Sequence, residues 1–280
     1  MTENKTKIGL ALGSGGILGL AHIGVIKVLL KNNIPIDCIS GSSVGSLVGA
    51  YLAIHGEVDS LEKLILEDSK DYIPIFFDFS FSGGLVDGKK INNFLKKILG
   101  DVKFSETKIP FHIVATDIVK REPVVFSSGK IIPAIRGSIS IPVVFKPFSY
   151  QDKLLIDGGL SNPVPVDILK DNGIEKVIAV NLYNQCEMIN KKFAMTTVAM
   201  DSAKIVLNNL AKMSSKNADV LLNPDAYTCA DKMKITDYFK PKYVKELISI
   251  GEEEALRHLD EIKALLTQTS ANTNIQYRKQ

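Results

Sequence analysis

The stretch Ile8-Gly9-Leu10-Ala11-Leu12-Gly13-Ser14-Gly15-Gly16-Ile17-Leu18-Gly19-Leu20-Ala21-His22-Ile23-Gly24-Val25 decides the fold. A short apolar run, a glycine-rich turn and a second apolar run of helical length follow one another without a break. The pattern predicts a strand over Ile8–Leu12 and a helix from about Leu18 to Lys31. That helix is apolar on almost every side, so it should be buried rather than lie on the surface. A second strand, Cys38–Ser40, runs into Gly41-Ser42-Ser43-Val44-Gly45 and a helix of small and apolar residues ending near Ile54.

Strand and helix signals keep alternating beyond this point. Helices are predicted over Asp59–Ser69 and Lys89–Leu99, the latter stopped by Gly100. Further strands are expected at Phe111–Thr116, Val124–Phe126, Leu154–Ile156, Lys176–Leu182 and Val220–Leu222. Two more helices cover about Thr196–Lys212 and Pro241–Leu266. The alternation is that of an α/β fold with a mostly parallel central sheet flanked by helices. Residues 1–280 read as one domain: about 7–182 carry the motifs, about 185–270 are mainly helical, and 271–280 form a polar, frayed tail.

Composition narrows the classes of function. The chain has 280 residues, 45% of them hydrophobic and 23% charged, which suits a globular protein with a sizeable core. A net charge of +3 is too small to argue for a nucleic-acid partner, though it is compatible with a weakly anionic membrane surface. Cys38, Cys186 and Cys229 are odd in number and far apart, which argues against a disulfide framework or a zinc site. With no signal-peptide pattern and no apolar run of spanning length, a cytoplasmic protein is expected, with peripheral membrane contact left open.

Three motifs carry chemistry. Gly41-Ser42-Ser43-Val44-Gly45 is a G-x-S-x-G between a strand and a helix, where a nucleophilic serine would stand exposed on a sharp turn at the positive end of the helix. The same glycines would equally let a helix pack closely on the sheet. Gly13-Ser14-Gly15-Gly16, continuing to Gly19, offers bare backbone N–H groups to a phosphate or an oxyanion. A dinucleotide fingerprint fails here because Leu18 takes the place of the third glycine, and no Gly-Lys-Ser/Thr follows to make a P-loop.

Asp157-Gly158-Gly159 follows the apolar run Leu154–Ile156; it is either a plain turn or the base an activated serine needs. Of the four histidines, His22 lies in an apolar helix, His55 at a helix end and His112 in a strand. His258 alone satisfies a Ser…Asp…His order, so a triad of Ser43, Asp157 and His258 stays open. The cluster Phe76, Phe77, Phe79 and Phe81 is either an apolar entrance for a lipid or part of the core.

Taken together and in this order, these elements resemble the patatin-like phospholipase family. The opening Leu10–Gly16 through Gly19–Val25 is similar to the family's glycine-rich start, Gly41–Gly45 to its nucleophile elbow, and Asp157-Gly158-Gly159 to its aspartate motif. Arg136 with Ser138-Ile139-Ser140-Ile141-Pro142 is similar to a further family stretch. The resemblance spans about residues 7–182. It implies a Ser43–Asp157 dyad, with an oxyanion hole from the N–H groups of Ser14, Gly15 and Gly16. It also implies a patatin-like fold, lipid esters as substrate, and neither metal nor cofactor. Gly13, Gly19, Gly41, Gly45, Gly158 and Gly159 would support the motifs. Leu18 departs from the pattern, since the family usually has Arg or Lys there. Backbone donors survive that change, whereas a charge for steering a phosphate does not. A protein that binds an acyl group or an anion without turning it over is the remaining alternative.

Overall fold

Ile8–Leu12 (β1) and Cys38–Ser42 (β2) are buried along their whole length, as strands covered on both faces must be. A computed structural model describes residues 6–67, 88–142, 144–183, 195–231 and 240–267. The stretch Phe76–Phe81, the boundary at Asn184 and the tail 271–280 lie outside the described residues.

Leu20–Lys31 (α1) joins β1 to β2, and Val44–His55 (α2) leads on to Asp59–Glu67 (α3) and Gly88–Leu99 (α4). Phe111–Asp117 (β3) pairs in parallel with β2 and in antiparallel fashion with Glu122–Phe126 (β4). Ile131–Ser138 (α5) precedes the hairpin of Phe148–Tyr150 (β5) and Lys153–Ile156 (β6). Val166–Asp171 (α6), Lys176–Val180 (β7), Met195–Ser214 (α7), Val220–Leu222 (β8), Ala226–Asp231 (α8), Pro241–Arg257 (α9) and Leu259–Thr267 (α10) complete the described chain.

The strands form one sheet in the order β5-β6-β3-β2-β1-β7-β8, with β4 on β3. Its middle, from β3 to β8, is parallel throughout. Side-chain alternation splits the core in two. Ile8, Leu10, Leu12, Ile39, Ile178 and Val180 face one layer, while Ala11, Cys38, Val177 and Ala179 face the other with Leu169 and Ile174. Strand order reverses between β1 and β7, and open α/β sheets bind their ligands outside the carboxyl ends of the strands at such a point. The glycine turn after β1 sits there: Gly13 N–H donates to Val180 O at 3.0 Å.

Several boundaries differ from expectation. Residues Gly16–Gly19 form a 3-10 turn, so α1 begins at Leu20 rather than Leu18; Gly16 has φ 58°, which an α-helix does not admit. The last helical stretch is two helices, α9 and α10, broken at His258. Nine of the twelve residues of α1 are buried, and α1 packs on α9 where Gly24 faces the Ile248 carbonyl and Gly251 faces that of Ala21.

Candidate active site

Strand β2 ends at Ser42 and α2 begins at Val44, so Ser43 alone makes the turn between them. Its backbone lies at φ 52° and ψ −124°, a sparsely populated region that costs a residue with a Cβ about 1–3 kcal/mol. The surroundings enforce it. Gly45 passes β1 so closely that a Cβ would run into the Leu12 carbonyl, and Gly41 packs beneath Gly45. Ser43 N–H donates to Ser138 Oγ at 2.8 Å, and the Ser43 carbonyl accepts from Ser46 N–H at 2.8 Å. Only 4% of Ser43 is exposed, and it stands at the N-terminus of the twelve-residue α2, where the peptide dipoles favour negative charge.

Ser43 Oγ donates to Asp157 Oδ2 at 2.6 Å, a contact between residues 114 apart in the chain. The length is that of a hydroxyl bonded to an ionised carboxylate. Asp157 follows β6 and caps the turn Gly158–Leu160: its Oδ1 accepts from Gly159 N–H at 2.8 Å. Its own N–H donates to Ser140 O at 2.9 Å, and its carbonyl accepts from Thr116 Oγ1 at 2.8 Å. Gly158 is required here, since a Cβ would strike the Val114 carbonyl. Burial raises the Asp157 carboxyl from 3.8 to about 6, against the pull of the Ser43 and Gly159 hydrogen bonds. A carboxylate ionised at neutral pH, yet more basic than usual, can accept a proton from the hydroxyl it already holds.

The glycine turn closes the site from the other side. Gly19 abuts the Val44 side chain, and Gly16 lines the same cavity as Ser43. Ser14 N–H donates to Pro163 O at 2.8 Å and is therefore committed to the fold, which removes it from the expected oxyanion donors. Among the described residues no acceptor meets the N–H groups of Gly15 or Gly16, the first of the 3-10 turn. His22, fully buried, pins the turn: its Nε2 lies 2.7 Å from Gly13 O, which can only accept, so Nε2 carries the proton. Burial pushes this imidazole down to about 4, and it stays neutral.

The remaining histidines bond elsewhere. His55 Nε2 lies 3.2 Å from Ile98 O, and His258 Nδ1 lies 3.1 Å from Glu254 O at the end of α9. His112 bonds to neither dyad residue among the described contacts, and burial lowers its pKa. Tyr183 lies in none of the sequence motifs, yet it belongs to this neighbourhood. Burial and then the charge of nearby Asp157 push its hydroxyl up, while the Ser14 hydroxyl beside it pulls the other way. That Ser14 hydroxyl is itself buried and outside hydrogen-bond geometry.

Beside Ser43 opens a cavity of about 120 Å³. Its walls are Ile17, Leu20 and Ile23 from the glycine turn and α1, Val44, Leu47 and Val48 from α2, Leu61, Leu64 and Ile65 from α3, Phe94 from α4, and Ile139, Ile141 and Phe145. Leu18 is 6% exposed and packs in the core. Among the described residues no helix is long and apolar enough to cross a membrane.

A family model described as patatin-like phospholipase matches residues 10–170. An uncharacterized NTE family protein of Mycobacterium bovis is 37% identical over 181 residues, which is 64% of this chain and 50% of that protein. A lysophospholipase of Pyricularia oryzae is 30% identical over 179 residues, 62% of this chain and 12% of that protein. The chain thus spans half the length of the mycobacterial relative and far less of the fungal one. Among solved structures, VipD from Legionella pneumophila superposes with a TM-score of 0.47 at 13% identity, covering 91% of this chain and 67% of that one.

Proposed function

The chain belongs to the patatin-like phospholipase family, and from that premise we propose that it hydrolyses the carboxylic esters of lipids with Ser43 as nucleophile and Asp157 as base. The observation that carries the reading is the 2.6 Å hydrogen bond from Ser43 Oγ to a buried carboxylate, made at the head of an apolar cavity.

As the Ser43 oxygen attacks the ester carbonyl, its proton passes to Asp157. The negative charge that develops on the carbonyl oxygen is met by the N–H groups of Gly15 and Gly16, in a site dry enough for such donors to count. Collapse breaks the bond to the alcohol, which leaves with the proton from Asp157. Water then repeats the sequence on the acyl-enzyme: it gives a proton to Asp157, attacks the acyl carbon, and releases a fatty acid as Ser43 recovers its hydrogen. The acyl chain lies in the cavity, whose apolar walls suit an alkyl chain and repel a charged head group. Phospholipid, lysophospholipid and neutral esters share this acyl end and differ only in the leaving alcohol. The packing of α1 on α9 supports a single unit that includes the C-terminal helices.

The test is hydrolysis of a p-nitrophenyl ester series and of lysophospholipid micelles by the wild type, Ser43→Ala and His258→Ala. Ser43→Ala should lose at least about a thousandfold in kcat, as expected when a nucleophile is removed. His258→Ala should keep its activity within about twofold, because that ring bonds to Glu254. An inactive but folded His258→Ala would replace the dyad with a triad. A wild type inert on every substrate would leave a binding protein.

A further inference from the structure

The hydroxyl of Ser138 belongs to neither the dyad nor the glycine turn, yet it is fully buried and makes two hydrogen bonds that meet at the nucleophile. It accepts from Ser43 N–H at 2.8 Å and donates to Val114 O at 2.6 Å. Ser43 sits in a backbone conformation that nothing local favours, so a contact that fixes its N–H also fixes where its Oγ points. Two residues on, the carbonyl of Ser140 accepts from Asp157 N–H at 2.9 Å, while Ser140 Oγ donates to Arg136 O at 2.6 Å and tightens the end of α5. One short strap therefore grips the backbone of both reacting residues. The intervening Ile139 faces the apolar cavity.

We infer that Ser138 is a positioning residue: its hydroxyl ties the strained Ser43 turn to β3, and so sets the distance between the Ser43 hydroxyl and the Asp157 carboxylate. The inference rests on the Ser–Asp reading proposed above. Without the hydroxyl, Ser43 N–H and Val114 O both lose a buried partner, and the turn relaxes toward a commoner conformation. Displacement of a reacting group by about 1 Å costs on the order of a hundredfold in rate without any change in the binding surface. Because the Ser43 hydrogen bond pulls the Asp157 pKa down, loosening it lets that carboxyl rise further above its ordinary value.

The experiment is steady-state hydrolysis of p-nitrophenyl butyrate across pH, with the rate of covalent labelling by an alkyl fluorophosphonate, for wild type, Ser43→Ala, Ser138→Ala and Ser138→Cys. Ser215→Ala serves as a control, since that buried hydroxyl bonds only within α7 and at its end. Ser138→Ala should lower kcat and the labelling rate by about 10- to 100-fold, leave KM within about threefold, and move the acid limb to higher pH. Ser138→Cys keeps a weaker donor and acceptor in nearly the same volume. It should show the same pattern at smaller size, and it stands in if Ser138→Ala does not fold. Ser215→Ala should change none of these readouts. A dead Ser43→Ala with near-normal kcat in both Ser138 variants would overturn this inference alone. So would a loss in KM instead of kcat, or an unmoved acid limb. An active Ser43→Ala, or an inert wild type, would overturn the dyad reading and this one with it.

Discussion

Replacing Asp157 by Asn should destroy activity and, at neutral pH, make the protein more stable. Asp157 is 7% exposed, and burial raises its carboxyl from 3.8 to about 6. At about 1.36 kcal/mol per pH unit, that difference amounts to about 3 kcal/mol charged against the folded state when Asp157 is ionised. Asn fits the same contacts without the charge. Its oxygen can take the Gly159 N–H, and its amide can donate to Ser43 Oγ, whose hydroxyl then turns away.

The gain depends on pH in a defined sense. Below 3.8 the carboxyl is protonated both folded and unfolded, and Asn brings no advantage. Between 3.8 and about 6 the unfolded chain ionises first, so the wild type loses stability as pH rises and the variant does not. Above about 6 the full difference of about 3 kcal/mol should stand, which for a protein of this size is a rise in Tm of roughly 5 °C or more. Urea unfolding of both proteins at intervals from about pH 4 to pH 8 measures it, provided the m-values agree. A variant less stable than wild type at high pH would refute the reasoning, as would a gain of the same size at both ends. The first result would mean that the hydrogen bonds to the carboxylate outweigh its desolvation; the second would mean that the gain does not come from the ionisation of Asp157.

Two further predictions come from the same geometry. Ester hydrolysis by the wild type should fall through a single ionisation near pH 6, losing about tenfold in kcat/KM per pH unit below it, because only ionised Asp157 takes the proton. A pH–rate profile checks this, and an acid limb near 4 would mean that burial does not raise the Asp157 carboxyl to about 6. Leu64→Trp should fill the cavity from α3, lowering kcat/KM for an octanoyl ester by about tenfold while leaving an acetyl ester within about twofold. Equal losses on both esters would mean that the chain lies elsewhere.

The parts of this site that could be read from sequence are those where chemistry and backbone geometry demand one residue type. Gly45 and Gly158 face carbonyls that leave no room for a Cβ, so glycine appears there and the motif is visible. The β1 strand and the apolar α1 were legible for a similar reason, since burial on all sides leaves little but apolar residues. What went unread depends on contacts between distant segments. Helix α5 holds Pro133 and Gly137, which read as breakers, yet Pro133 lies in its first turn, where no N–H is needed. The β5–β6 hairpin turns on Gln151 and Asp152 with φ of 48° and 57°, with no glycine to signal it. The break at His258 has neither glycine nor proline. Ser14 looks like a donor until Pro163, 149 positions later, is seen to take its N–H.

The absence of histidine from the proposed dyad and the leucine at position 18 fit one physical account of this site. A solvent-exposed aspartate is a weak base at neutral pH, and enzymes commonly solve that with an imidazole. In the proposed mechanism burial does the same work, raising the carboxyl to about 6 while the 2.6 Å bond keeps it aligned with the hydroxyl. The same dryness strengthens peptide N–H groups as partners for a developing negative charge. A cation at position 18 would have to be buried in the core that Leu18 occupies, at a cost paired charges alone can offset. In the proposed site, the N–H groups of Gly15 and Gly16 and the N-terminus of α2 contribute positive potential over Ser43 from peptide groups. Those groups neither titrate nor move with a flexible side chain. The proposed chemistry therefore depends on a single ionisation, that of Asp157, and on the backbone geometry that holds Ser43 against it.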